Sequence, residues 1–103
     1  MKLCYKVVAD DGSIAGTADV IFAGHECYFD YFITAVLVKP NMRRRGYGTK
    51  LLQEICKEAD AIKASLALDV LSSGEMTNEE LKNWYWKFGF IISDDMMIRK
   101  AKK

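Results

Sequence analysis

The apolar positions of the chain first change period near Pro40, from runs suited to strands to a helical repeat. From Leu3 to Ala9 the residues Leu-Cys-Tyr-Lys-Val-Val-Ala form a short β-branched run that stops at Asp10-Asp11-Gly12. Asp-Gly between two apolar runs predicts a hairpin. Ser13 to Ala23 resumes as a second strand with small residues, and Gly24-His25-Glu26 predicts another turn. Cys27 to Lys39 is a long apolar run rich in Tyr, Phe, Ile and Val, as expected for a strand covered on both faces. Pro40 ends it because proline has no N–H for the ladder.

Beyond Pro40, Leu51, Leu52, Ile55, Cys56, Ala59 and Ile62 recur at helical spacing and leave Lys50, Glu54, Lys57 and Glu58 to water. Gly46 and Gly48 stand at the start of this helix. Ala64 to Leu71 returns to strand, with Leu66, Leu68 and Val70 on one face. Thr77-Asn78-Glu79-Glu80 reads as a capping box opening a helix that carries Leu81, Trp84, Tyr85 and Phe88. Gly89 stops that helix, and Phe90–Ile92 and Met96–Arg99 close the chain as strand segments. With no repeat or linker, residues 1–103 read as a single α+β domain.

Composition narrows the function classes. Half of the residues are apolar, enough for a core, and the formal net charge of +1 provides no global attraction to nucleic acid or membrane. Cys4, Cys27 and Cys56 are odd in number and lack metal-ligand spacing, and His25 is the lone histidine, so buried free thiols are expected and no metal. No run approaches transmembrane length and the start lacks a signal-like apolar stretch, so the expectation is a cytoplasmic protein.

The informative segment is Val36-Leu37-Val38-Lys39-Pro40-Asn41-Met42-Arg43-Arg44-Arg45-Gly46-Tyr47-Gly48-Thr49. It joins a strand to an amphipathic helix through three arginines and two glycines. Amides at a helix N-terminus have no intrahelical partner and carry about half a positive charge. Glycine lets that backbone approach a ligand closely. The combination suits phosphate oxygens, best a pyrophosphate. A glycine turn with a solvated basic face accounts for the loop alone equally well; the patterns for dinucleotides and for the P-loop are absent.

This stretch resembles the acetyl-CoA motif of the GCN5-related N-acetyltransferase (GNAT) family, [QR]-x-x-G-x-[GA] after a V-x-V strand, with Arg43, Gly46 and Gly48 in its fixed positions. Asn78-x-x-Leu81-x-x-x-Tyr85-Trp86-Lys87-Phe88-Gly89-Phe90 is similar to a second family segment, N-x-x-A-x-x-x-Y-x-x-x-G-F. The resemblance implies a mixed, mainly antiparallel sheet flanked by helices, with the N-terminal hairpin replacing the family's usual first two helices. It also implies that the third strand splays from the strand at Ala64–Leu71. The amide of Val36 would then polarise the thioester carbonyl of acetyl-CoA and Val38 would pair with pantetheine. Arg43, Arg44, Arg45, Gly46, Tyr47, Gly48 and Thr49 would hold the pyrophosphate, with Arg44 and Arg45 adding charge for the 3′-phosphate. Asn78 matches a position near the coenzyme, and Tyr85 takes the place of the general acid that protonates the leaving thiolate; their structural readings are a helix first turn and one more packed aromatic.

The general base is where the sequence departs from the family. Some members carry a glutamate at the position that Phe32 fills here. Asp30, two residues earlier and so on the same face, is the candidate, acting through water; a strand-end aspartate with no chemical role is the competing reading. Glu26 and Asp19 are poorer placed, and Cys27 and Cys56 lack a histidine partner. Without the usual helices, either the acceptor groove is open or a second subunit of a homodimer supplies its wall. An open groove favours a protein lysine over a small enclosed amine. The expected activity is transfer of acetyl from acetyl-CoA to a primary amine by direct attack. The alternatives are a non-catalytic acyl-CoA-binding module, which Phe32 supports, and a nucleic-acid-binding domain, against which the near-neutral charge argues.

Overall fold

The structure is a computed structural model that describes residues 3–24, 29–39, 46–70, 77–94 and 96–101. The proposed turn at His25-Glu26, Cys27, Pro40 and the arginines Arg43, Arg44 and Arg45 lie outside the described residues. The elements run β1 (Cys4–Val8), β2 (Ile14–Phe22), β3 (Tyr31–Val38), α1 (Tyr47–Ala61), β4 (Leu66–Asp69), α2 (Asn78–Trp86), β5 (Ile91–Ser93) and β6 (Met96–Arg99). The strands form one six-stranded sheet in the order β1-β2-β3-β4-β6-β5. Every neighbouring pair is antiparallel except β3 and β4, which α1 connects as a crossover. The α+β architecture is therefore the expected one.

The β1–β2 hairpin forms as the Asp-Gly signal predicts. Gly12 adopts φ 88°, which an L side chain resists, and Ala9 N–H donates to Ser13 O at 2.8 Å. The Asp11 carboxylate accepts from the Ser13 N–H at 2.9 Å and from its hydroxyl at 2.6 Å, and these bonds hold its pKa below the ordinary 3.8.

Both helices pack on one face of the sheet. Leu51, Leu52, Ile55, Cys56 and Ala59 of α1 join Tyr5, Ala18, Val20, Ile33, Leu66, Leu68 and Met97 from alternate strand positions, with Tyr85 and Phe90 completing the cluster. The opposite face of β1–β3 is open: Val8, Ile21 and Leu37 are 55%, 51% and 58% exposed. Three expectations need correction. Cover on both faces belongs to β4, whose Leu66, Ala67 and Leu68 are all buried, and not to β3, where Ile33 is the buried member. β3 lies under α1 with its other face exposed, as Leu37 shows, whereas Leu66, Ala67 and Leu68 bury both faces of β4. Ile62 is the C-cap of α1, where the helix ends, and stands 52% exposed. Cys4 is an exposed thiol on β1; Cys56 is buried as expected.

Arg99 is the buried charge that periodicity did not anticipate. It replaces an apolar residue on the helix-facing side of β6 and is 3% exposed. Its guanidinium donates to both Asp60 oxygens at 2.8 and 2.9 Å, and Nε donates to Phe88 O at 2.7 Å. It thus ties the last turn of α1 to the end of α2. Removing one partner of such a pair strands the other, although Asp60 keeps some contact with water. Arg99→Met is expected to lower stability in urea unfolding by about 2–4 kcal/mol, more than any surface charge deletion.

Candidate functional site

The site is built where β3 leaves β4. Their parallel register pairs Tyr31 with Leu66, Phe32 with Ala67 and Ile33 with Leu68, and among the described residues the ladder goes no further although β3 runs on to Val38. The parting coincides with a register shift on the other side of β3. Asp19 faces Ala35 and Val20 faces Ile33, so Thr34 is an extra residue in β3, and its hydroxyl donates to Asp19 O at 3.2 Å. An extra residue bends a strand and increases its twist. β3 consequently stays with β2 and swings away from β4.

The extra residue also reverses which way the amides point. Tyr31 N–H donates to Ser65 O on the β4 side, whereas Lys39 N–H donates to Ala15 O on the β2 side. Amides two apart in a regular strand point the same way, so residues 31 and 39 would agree without the bulge. After Thr34 the even positions therefore direct their N–H groups towards β4. Val36 and Val38, the two positions singled out in the sequence, both face the opening with their amides.

Helix α1 begins beside the C-terminal end of β3. Its N-cap, Gly46, has φ 81°, and the first helical bond runs from Lys50 N–H to Gly46 O at 3.0 Å. A side chain at Gly46 would meet no atom within 4 Å, so the glycine is required by backbone conformation and not by crowding. No side chain caps this turn among the described residues, and no acidic residue lies in it. The amides of Tyr47, Gly48 and Thr49 are thus arranged as an anion-receptive turn. Helix α2 is the contrast: its capping box engages Glu80 N–H with Thr77 Oγ1 at 3.2 Å and Thr77 N–H with Glu80 Oε1 at 3.1 Å, and Glu79 and Glu80 fill its first turn. Asn78 is exposed in that turn.

Two of the loop residues do more than the motif suggested. The Tyr47 ring is buried against Ala9 and Ala15 with Val7 and Val38 beside them, so its side chain anchors α1 under the hairpin and only its backbone faces the ligand side. Gly48 admits the Trp84 ring: a Cβ there would lie 3.4 Å from the indole. Trp84 in turn packs on Tyr85 and Phe88, with centroids 5.0 and 5.4 Å away. The two sequence motifs are therefore in contact.

Tyr85 is 9% exposed and packs edge-on against Phe90. Burial pushes its phenol above the ordinary 10.0, so it keeps its proton at neutral pH, the state a proton donor needs. Asp30 lies at the closed end of the β3–β4 ladder, away from the opening. Its Oδ2 accepts from Ser65 N–H at 2.9 Å and from the Ser65 hydroxyl at 3.2 Å, while Asp30 N–H donates back to the Ser65 hydroxyl. That clamp sets the register of β3 on β4. A groove of about 580 Å³ lined by Gln53, Lys57, Trp86 and Lys87 lies along the C-terminal half of α1, remote from Gly46.

Comparison with known proteins agrees with this geometry. The acetyltransferase (GNAT) domain profile matches residues 2–92, and the chain belongs to the GNAT acetyltransferase family. No curated protein is matched in sequence. The fold is similar to that of the ribosomal-protein-S18-alanine N-acetyltransferase of Escherichia coli, with TM-score 0.75 and 19% identity over 98% of this chain and 70% of that one. It is similar to PaiA N-acetyltransferase of Thermoplasma acidophilum, solved in complex with coenzyme A, with TM-score 0.74 and 19% identity; 96% of this chain is covered but 60% of PaiA. This chain therefore spans less than two thirds of PaiA's length. The anti-CRISPR protein AcrVA5 is closer in size, with TM-score 0.64, 17% identity and coverage of 92% and 96%.

Gly46→Ala keeps the space but imposes a left-handed conformation on a Cβ. It is expected to lower unfolding free energy by about 1–2 kcal/mol, read by urea titration, while Gly48→Ala costs less because its contacts are ordinary ones.

Proposed function

We propose that the chain is an acetyl-CoA-dependent N-acetyltransferase acting on a primary amine, with residues 1–103 working as one domain. The observation that carries this reading is the parted β3–β4 pair lying beside an uncapped helix start. An extended thioester ligand needs both: a backbone edge for its amide-bearing arm and a positive turn for its phosphates. PaiA's complex with coenzyme A supports the same ligand class.

Bound acetyl-CoA supplies the activated acyl group. The Val36 amide donates to the thioester oxygen, where negative charge grows as an amine attacks. Val38 aligns the pantetheine arm through its main chain. The turn Gly46–Thr49 receives the pyrophosphate through N–H groups, with Arg43, Arg44 and Arg45 preceding it to add charge. Asn78 faces the coenzyme from the first turn of α2. Tyr85 returns a proton to the departing sulfur. Its buried phenol holds that proton at neutral pH, so proton delivery is limited by position and not by supply.

The acceptor approaches from the open side of the sheet, because α1 and α2 occupy the other. An open apolar surface on β1–β3 suits an extended acceptor, such as a lysine or terminal amine on a protein chain, better than an enclosed metabolite. A non-catalytic acyl-CoA-binding module is the second reading, favoured by Phe32 in place of an acidic residue and by the engagement of Asp30 with Ser65. No helix among the described residues is long and apolar enough to cross a membrane.

Acetyl-CoA at 100 times its dissociation constant is expected to stabilise the protein by about 2.7 kcal/mol, seen as a rise in Tm that an Arg45→Glu, Gly46→Glu variant loses. No shift in a well-folded wild type overturns the reading. Coenzyme binding without thiol release across a broad amine panel selects the non-catalytic module.

Tyr85→Phe is expected to cut kcat by roughly 10²–10⁴-fold with coenzyme affinity retained. The same variant carries a stability signature. Because burial raises the folded phenol's pKa, the contribution is complete below the ordinary 10.0 and lost as pH rises through the folded value. Unfolding free energy should fall more steeply above pH 10.0 in wild type than in Tyr85→Phe.

A further inference from the structure

With Asp30 clamped, the opening needs another group to take the proton of the attacking amine, and the end of β4 holds one. Asp69 is the last residue of β4, immediately after Leu68, whose pairing with Ile33 is the final rung before the strands part. Alternation along β4 places Leu66 and Leu68 towards the helices, where both are buried. Ala67 and Asp69 consequently face the opposite side. Ala67 pairs with Phe32 there, so Asp69 shares the face of the residue that stands where some family members carry their glutamate. Unlike Asp30, Asp69 is exposed, and the backbone around it is fixed by pairing with Met96 on β6.

We propose that Asp69 is the general base for the acceptor amine, an inference that rests on the acetyltransferase reading above. The two faces of the sheet then divide the proton work. Tyr85 lies on the helix side of the sheet and Asp69, itself exposed, at the end of β4 on the opposite face, where the amine arrives. An ammonium group is drawn to the carboxylate and gives up its proton to it, directly or through one water, and the proton passes on to solvent. The nitrogen lone pair forms the new C–N bond and the C–S bond breaks; the nitrogen sheds its second proton to solvent, while Tyr85 supplies a proton to the sulfur and recovers one from solvent. Each acetyl transferred leaves an amide, a thiol and one released proton. The carboxylate at the end of β4 does what the third strand does not, because the bulge at Thr34 brings the opening next to Asp69 and leaves Asp30 at the closed end.

The test compares wild type, Asp69→Asn, Asp69→Glu and Asp30→Asn in three measurements: calorimetric binding of acetyl-CoA, urea unfolding, and thiol release with lysine peptides across pH. Asp69→Asn should bind the coenzyme and unfold like wild type, yet lose roughly 10²–10⁴-fold in kcat at neutral pH. Its kcat/KM should climb with unit slope towards the amine's own pKa, about 10.4 for lysine, as free amine replaces the missing base. Asp69→Glu should recover much of the loss. Asp30→Asn should instead lower unfolding free energy and keep the wild-type pH profile. An active wild type whose Asp69→Asn variant keeps its kcat and its profile overturns the role of Asp69 and leaves the acetyltransferase reading intact. A wild type that neither binds acetyl-CoA nor releases thiol overturns both.

Discussion

Strand β3 has to satisfy two neighbours whose demands diverge. On one side it holds β2 antiparallel from Tyr31–Phe22 to Val38–Gly16; on the other it holds β4 parallel for three residues and then lets go. One extra residue, Thr34, reconciles them. It bends the strand at the rung where β4 is released and reverses the direction of the amides beyond it. The rest of the site follows from that bend: the opening between strands, the amides of Val36 and Val38 turned into it, and the proximity of the β4 terminus. Gly16 belongs to the same arrangement. A Cβ there would sit 2.8 Å from Leu37 O, so β2 can follow the bent strand closely only because this position lacks a side chain.

A bent, parted sheet loses cooperative ladder bonds and has to be held by other means. At the closed end, Asp30 and Ser65 exchange hydrogen bonds that lock β3 on β4. Across the helix layer, Arg99 joins Asp60 of α1 to the carbonyl of Phe88 after α2. At the open end, Trp84 rests on Gly48 and braces the first turn of α1. These three ties surround the opening and let it stay open without collapse. In a chain of 103 residues with one face of β1–β3 left bare, they carry a rigidity that a larger protein could take from additional layers.

The asymmetry of the sheet is also chemical. Helix packing on one face places there the uncapped first turn of α1 and the buried phenol of Tyr85. The opposite face of β1–β3 is exposed. Burial raises the pKa of the Tyr85 phenol, while the Asp69 carboxylate at the end of β4 is exposed to solvent.

Many of these features are legible in the order of the residues alone. The Asp10-Asp11-Gly12 hairpin, the capping box at Thr77 and the apolar stripe of α1 can be read there because each depends on residues a few positions apart, acting through local backbone chemistry. The phosphate turn is legible for the same reason, its glycines and helix start being contiguous. Which side chains meet across strands is not legible. Asp30 and Asp69 look alike in one dimension; the register of β3 on β4 puts the first in a clamp and the second at the opening. Arg99 reads as the end of an apolar strand until Asp60, 39 residues away, meets it. Gly48 reads as a ligand-approach residue until Trp84 fills the space above it. The elements and the uncapped glycine turn follow from short-range conformational preferences, which are written residue by residue. Which carboxylate stands at the opening is set only in three dimensions, because the bend at Thr34 and the pairings on either side of it arise only when distant strands compete for the same partner.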